Sequence, residues 1–243
     1  MSLLDKIGDL YNDPVLAIWS FLSLPASGLL LLMSLNNPIM VFYLFLTLST
    51  FAWLIAAPTV FKETAHASVD WNEEIDFKKV LKLSAVGIIA LLFIGFIFSM
   101  LFFGQVSPAI WVPSTLVPLA LTGSGFTVLM SNLFATTFAV VPGEESGKAI
   151  FTVLFRTYHN AGWAEKLPFA FQPAVFSGVT FWAAEHVVAG QYVLTFALTV
   201  FVSGLVMKTL AAQSGTYLTS WIIHLGYNGV ILIASFISSI MRI

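Results

Sequence analysis

Long apolar runs dominate the chain, and short polar or Gly/Pro-containing breaks separate them. Most runs approach the roughly 20 residues that a helix needs to cross the hydrocarbon core of a bilayer. They fall at about residues 14–35, 39–61, 80–103, 116–141, 144–158, 173–189, 192–210 and 218–241. Strand-like alternation is absent, and backbone groups in lipid must be hydrogen-bonded internally, so each run is predicted to be a helix.

The predicted fold is therefore all-α, a polytopic integral membrane protein with about eight transmembrane helices in a single domain over residues 1–243. Two N-terminal spans lie within residues 14–61, a charged loop follows at 62–79, and a core extends from about 115 to 241. A helix over residues 144–158 would be about 22 Å long, shorter than a core of about 30 Å. Its start is expected to lie below the membrane surface.

Composition excludes several classes of protein. Only 9% of the residues are charged and the mean hydropathy is +0.93, whereas soluble domains carry about 25% charge. A net charge of −2 offers no basic surface for nucleic acid, which is excluded as a partner. The absence of cysteine excludes disulfides, iron–sulfur clusters, thiolate zinc sites and a cysteine nucleophile.

The distribution of Lys and Arg predicts the orientation in the bilayer, because cytoplasmic loops carry an excess of these residues. With eight spans, one side receives Lys6, Lys62, Lys78, Lys79, Lys82 and Arg242, and the other receives Arg156, Lys166 and Lys208. Both termini and the charged loop are thus predicted to be cytoplasmic. The expected location is the cell membrane.

Three apolar runs contain acidic or histidine residues, although a charge at the bilayer centre costs about 2.5–3.5 kcal/mol. These residues are Glu144 and Glu145, with Lys148 close to them, in the fifth run, Glu185 and His186 in the sixth, and His224 in the eighth. Trp182 and His186 are four residues apart, as are His224 and Asn228, so each pair shares a helix face. The set predicts one polar site between helices.

The adjacent Glu144 and Glu145 are about 100° apart on a helix, so only one is expected to face the site directly. Lys148 follows Glu144 by four residues and is expected to neutralise it, which favours Glu145 as the carboxylate available for chemistry. Alternatively, the two acids stabilise a helix N-terminus after Pro142-Gly143. Taken singly, a histidine or Asn228 could also be a packing residue.

These residues resemble the motifs of the CAAX protease and bacteriocin-processing (CPBP) intramembrane proteases, which include the Ras-converting CAAX endopeptidases. The resemblance covers about residues 140–235, through the Glu-Glu pair, Trp182-Ala-Ala-Glu-His186, His224-Leu-Gly-Tyr-Asn228 and the stretch from Gly204 to His224. The chain departs from the family at Ala149, where an Arg is common.

The resemblance implies an intramembrane endopeptidase that hydrolyses a membrane-associated peptide or protein by glutamate- and histidine-activated water. It implies catalytic roles for Glu144, Glu145, His186, His224 and Asn228, with Lys148 and Trp182 in support. In a competing scheme zinc is the cofactor, held by Glu145, His186 and His224.

Two other classes stay open. A non-catalytic membrane scaffold or accessory subunit would keep the fold without the activity, and the departure at Ala149 favours it. A haem or ion-conducting protein would use His186 and His224 as axial ligands on two helices.

Overall fold

The computed structural model describes the backbone of residues 76–104, 125–141, 143–145, 148, 163, 166–188, 194–216 and 218–241. Within these ranges the regular structure is entirely helical, as predicted. The α-helices are α1 (Phe77–Phe103), α2 (Gly125–Ala135), α3 (Pro173–Val188), α4 (Leu194–Ser214) and α5 (Leu218–Met241). A π-helical turn, Thr136–Val140, continues α2, and a 3-10 turn, Phe169–Phe171, precedes α3. The predicted spans at 14–35 and 39–61 lie outside the described residues.

Helix α1 occupies the third apolar run and has a clear cap at each end. The Asp76 side chain accepts a hydrogen bond of 3.0 Å from the backbone N–H of Lys79. Gly104 ends the helix with a φ of 66°, and its N–H donates to the Met100 carbonyl at 3.2 Å. No charged residue follows Lys82 inside the helix, as the sequence pattern requires of a span.

A tight turn joins α4 to α5 and sets their relative depth. Gly215 has a φ of 75°, and both it and Thr216 donate backbone N–H groups to the Ala211 carbonyl, at 3.0 and 3.2 Å. The Thr216 hydroxyl then accepts from the N–H of Leu218 at 3.2 Å. Lys208 lies six residues before the end of α4 and His224 six residues after the start of α5, so each is about 9 Å from the end of its helix at the turn.

Helix α4 lies at the centre of the packing and contacts α1, α3 and α5. The buried core joins these helices through Leu91, Trp182, Ala183, Val200, Met207 and Ile223. Gly204 permits the close approach of α4 to α3, because a Cβ there would lie 2.6 Å from Val179 Cγ1 and 3.1 Å from Trp182 Cζ3. This contact fixes the position of Trp182.

The outer faces of α1 and α5 are apolar. Two described helices, Phe77–Phe102 and Leu218–Ile237, are long and apolar enough to cross a membrane. Large side chains exposed on them include Ile89, Phe93, Phe96, Val230, Ile233 and Ile237. Exposed apolar area of this extent is typical of a surface that contacts lipid, so the structure supports membrane association.

Candidate functional site

The segment around Glu144 and Glu145 brings two carboxylates into contact with α3, α4 and α5. Residues 143–145 and Lys148 are helical, and the two glutamates retain only 4% and 2% exposure. Five of the predicted site residues meet in one buried cluster: Glu144, Glu145, Lys148, Trp182 and His224. Residues from distant parts of the sequence thus form one polar site, as the pattern of intramembrane charges predicts.

Glu145 is the centre of this cluster and accepts from four donors. Its Oε1 contacts Lys148 Nζ and lies 2.8 Å from Nδ1 of His224. Its Oε2 accepts from Lys208 Nζ at 3.3 Å and from the Ser220 hydroxyl at 3.0 Å. A carboxylate offers about four acceptor sites, so these donors saturate Glu145.

Glu144 has a different environment. Its Oε2 accepts from the indole N–H of Trp182 at 2.8 Å and lies 3.3 Å from Nε2 of His224. Trp182 therefore positions Glu144 directly, through a buried hydrogen bond across 38 residues of sequence.

Lys148 forms an ion pair with Glu145, three residues earlier in the sequence. Its ammonium also lies 3.8 Å from the centroid of the Trp182 ring, a cation–π contact. The expectation that Glu145 is the more available carboxylate is therefore wrong, because two ammonium groups bind Glu145. Glu144 is the carboxylate that lies next to the imidazole Nε2.

The contacts of His224 determine how its protons are arranged. Glu145, ionised by its contact with two ammonium groups, can only accept, so the Nδ1 of His224 carries hydrogen and donates to it. The 3.3 Å contact between Nε2 and Glu144 Oε2 is then attractive only when one of those two atoms is protonated.

The other two predicted residues are Asn228 and His186. Asn228 is one turn beyond His224 on α5 and is partly buried, and its side chain makes no hydrogen bond to another residue that the structure describes. His186 belongs to α3, one turn after Trp182, but its side chain lies outside the described part of the chain, as does that of Glu185.

Two residues of the cluster, Lys208 and Ser220, were missed in the sequence. The run predicted at 192–210 placed Lys208 near an aqueous end, and the charge count assigned it to the outer side of the membrane. The structure instead extends α4 to Ser214 and buries Lys208 completely. One signal in the sequence could have revealed Lys208: it lies about as far before the α4–α5 turn as His224 lies after it, which places both residues at a similar level of their helices.

The donor set at Glu145 does not fit zinc. A zinc ligand must present a lone pair to the metal, and the four donors on Glu145 occupy its acceptor sites. Two of those donors are ammonium groups, which repel a dication. Among the described residues no three His, Asp or Glu side chains are placed to hold a metal. Haem ligation is disfavoured too, since a carboxylate oxygen lies beside each nitrogen of His224.

No protein-family model matches this chain, and no curated protein or solved structure is significantly similar to it. The resemblance to the CPBP proteases therefore depends on its motifs alone.

Proposed function

We propose that this protein is an intramembrane endopeptidase of the CPBP type, which hydrolyses a membrane-associated peptide with activated water. The observation that carries the proposal is the contact of Glu144 with both Trp182 and His224, at 2.8 and 3.3 Å. These residues come from the three motifs of the resemblance. A buried carboxylate that shares a proton with an imidazole is suited to general acid–base chemistry.

The two glutamates have separate roles in this proposal. Glu144 is the base, because it lies beside Nε2 of His224 and receives the neutral Trp182 donor. Glu145 orients the imidazole by accepting from Nδ1, as a buried carboxylate does for the histidine of a catalytic triad. Lys148 and Lys208 compensate the charge of Glu145.

Glu144 takes one proton from a water molecule, and the water oxygen attacks the carbonyl carbon of the scissile peptide bond. The electron pair of the C=O bond moves to oxygen, and the Nε2–H of His224 donates to the resulting oxyanion. Asn228 is the second oxyanion donor, and His186 assists the proton transfer. Glu144 then delivers its proton to the amide nitrogen, the C–N bond breaks, and a carboxylic acid and an amine are released.

The proposed surroundings of this site are a bundle of about eight transmembrane helices in the cell membrane, with both termini cytoplasmic. The substrate reaches the site from the bilayer. The apolar outer faces of α1 and α5 and the burial of Glu144 among helices support this arrangement.

A non-catalytic scaffold or accessory subunit is the second candidate. The four-donor contact at Glu145 favours it, because such a cluster would hold α3, α4 and α5 together without any chemistry. A scaffold predicts that Glu144 and Glu145 contribute to stability and not to turnover.

The experiment that tests the proposal compares wild-type protein with Glu144→Gln and His224→Gln in proteoliposomes, against a library of membrane-associated peptides. Loss of the base or of its imidazole partner should lower kcat by a factor of about 10² to 10⁴. The thermal midpoint should stay closer to that of wild type than it does in Glu145→Gln.

Asp76→Asn is the matched control, since it makes the same carboxylate-to-amide change at an exposed N-cap that Asn also fills. It should cleave at the wild-type rate. Cleavage by the Glu144→Gln protein at the wild-type rate would overturn the assignment of the base. If the wild-type protein cleaves no peptide in the library, the scaffold is favoured.

A further inference from the structure

Lys208 is the single charged residue of α4, and it lies outside the Glu-Glu, Trp182–His186 and His224–Asn228 motifs. Its side chain has no exposed surface, and its neighbour Met207 belongs to the apolar core. A lysine at such a depth is strongly unfavourable unless a carboxylate compensates its charge. Its role is therefore defined by the carboxylate that it contacts.

That carboxylate is Glu145, whose Oε2 lies 3.3 Å from Lys208 Nζ. The Ser220 hydroxyl donates to the same oxygen at 3.0 Å. The other oxygen, Oε1, contacts Lys148 and the Nδ1 of His224. The two oxygens thus have different partners, and α4 and α5 hold the one that does not contact the imidazole.

We infer that Lys208 is a positioning residue for the proposed peptide hydrolysis. By holding Oε2, it fixes the rotation of the Glu145 carboxylate so that Oε1 points at Nδ1 of His224. This contact fixes the rotation of the imidazole ring and turns Nε2 toward Glu144. The inference rests on the proposed function, because the direction of Nε2 matters only if His224 takes part in catalysis.

Gly204 explains how Lys208 reaches the carboxylate. It lies one turn before Lys208, on the same side of α4, where any larger residue would clash with Val179 and Trp182. The close approach of α4 and α3 at Gly204 brings Lys208 and Trp182 to the same cluster. Trp182 orients Glu144, and Lys208 orients Glu145.

The test compares Lys208→Met, Lys208→Arg and the control Lys82→Met, which removes an exposed lysine from α1. All three are made in the full-length protein and reconstituted in liposomes with a peptide that the wild type cleaves. Loss of a residue that orients a catalytic group lowers the rate by about 10- to 100-fold. Lys208→Met should lose about 100-fold in kcat with little change in KM, since the group acts on the imidazole and not on the substrate.

Lys208→Arg should recover most of that loss because its guanidinium can also donate to Oε2. Lys82→Met should have wild-type kinetics. Equal loss in the Met and Arg variants, or wild-type kcat in the Met variant, would overturn the positioning role.

A second readout does not depend on activity. In protein labelled with ¹⁵N-histidine, the signals of His224 are identified by their absence in His224→Gln. The ¹⁵N signal of Nδ1 should be the same in wild type and Lys208→Arg, and it should shift in Lys208→Met, where the hydrogen bond to Glu145 is no longer held in place. An Nδ1 signal that is unchanged in Lys208→Met contradicts the inference, even if no substrate has been found and the proposed function has itself failed.

If Lys208→Met yields no folded protein, the double variant Glu145→Gln/Lys208→Met tests whether Lys208 acts through Glu145. Glu145→Gln alone leaves two buried ammonium groups on a neutral amide, and the double variant removes one of them, so the double variant should be more stable than Glu145→Gln. A double variant less stable than Glu145→Gln would show that Lys208 does not act through Glu145.

Discussion

Helices α1 and α4 are built from similar apolar residues but occupy opposite environments. Over 27 residues α1 has no charge beyond Lys82, and it exposes large apolar side chains such as Ile89 and Phe93. Over 21 residues α4 contains one lysine in its interior, Lys208, and buries it completely. The lysine is tolerated because Glu145 and the α5 residues provide a polar environment at that depth.

Hydropathy alone does not define the role of an apolar helix here. The charge in α4 lies on the face that other helices surround, whereas the uninterrupted apolar surface of α1 is typical of a face toward lipid. Three substitutions test this contrast.

The largest effect is expected when α4 loses the partner of its lysine. Glu145→Gln leaves two buried ammonium groups on a neutral amide, and breaking a buried ion pair in this way costs about 3–5 kcal/mol. The free energy of unfolding should fall by that amount in detergent-solubilised protein, measured by denaturant titration. In the control Asp76→Asn the change should stay within about 0.5 kcal/mol. If Glu145→Gln lowers the free energy of unfolding as little as Asp76→Asn does, groups other than Glu145 must compensate the charges of Lys148 and Lys208.

A somewhat smaller effect is expected when α1 receives a lysine that has no partner. Ile89 is 67% exposed, so Ile89→Lys would be harmless on a surface that faces water. On a surface that faces lipid it should cost about 2.5–3.5 kcal/mol, the insertion penalty of a central lysine. Membrane insertion of α1 can be measured with glycosylation sites placed on both sides, and Ile89→Leu is the control. Unchanged insertion of Ile89→Lys would place α1 in water.

The smallest effect is expected at the contact of α4 with α3. Gly204→Ala places a Cβ 2.6 Å from Val179 Cγ1, and overpacking of this kind costs about 1–3 kcal/mol. The displaced Trp182 should also weaken its hydrogen bond to Glu144, which fluorescence of the tryptophans can monitor. Gly229→Ala is the matched control, because a Cβ there meets nothing within 4 Å. Equal stability of the two variants would show that the close approach is not needed.

Much of the helical architecture could be predicted from the sequence. The predicted runs at 80–103, 173–189 and 218–241 agree closely with α1, α3 and α5, because apolar length and flanking Gly or Pro residues set those ends. The run at 116–141 is interrupted in its described part, where α2 gives way to the π-helical turn Thr136–Val140. No propensity in Thr136-Thr-Phe-Ala-Val140 indicates the wider turn.

The composition of the site was less predictable than its existence. Buried charges indicated that Glu144, Glu145, Lys148, Trp182 and His224 belong together, and the structure places them together. Their pairing could not be read from spacing, because Lys148 can reach either glutamate along one helix. Donors from other helices distinguish the two carboxylates, because Lys208 and Ser220 donate to Glu145 and Trp182 donates to Glu144.

The four donors at Glu145 also determine when the site can form during synthesis. Three of them, Lys208, Ser220 and His224, follow Glu145 by 63, 75 and 79 residues. A nascent chain that ends before α5 already contains Glu145 and Lys208 but lacks Ser220 and His224. Packing of α5 against the rest of the chain therefore completes the polar cluster, and a chain truncated before α5 would leave Glu145 without two of its four donors.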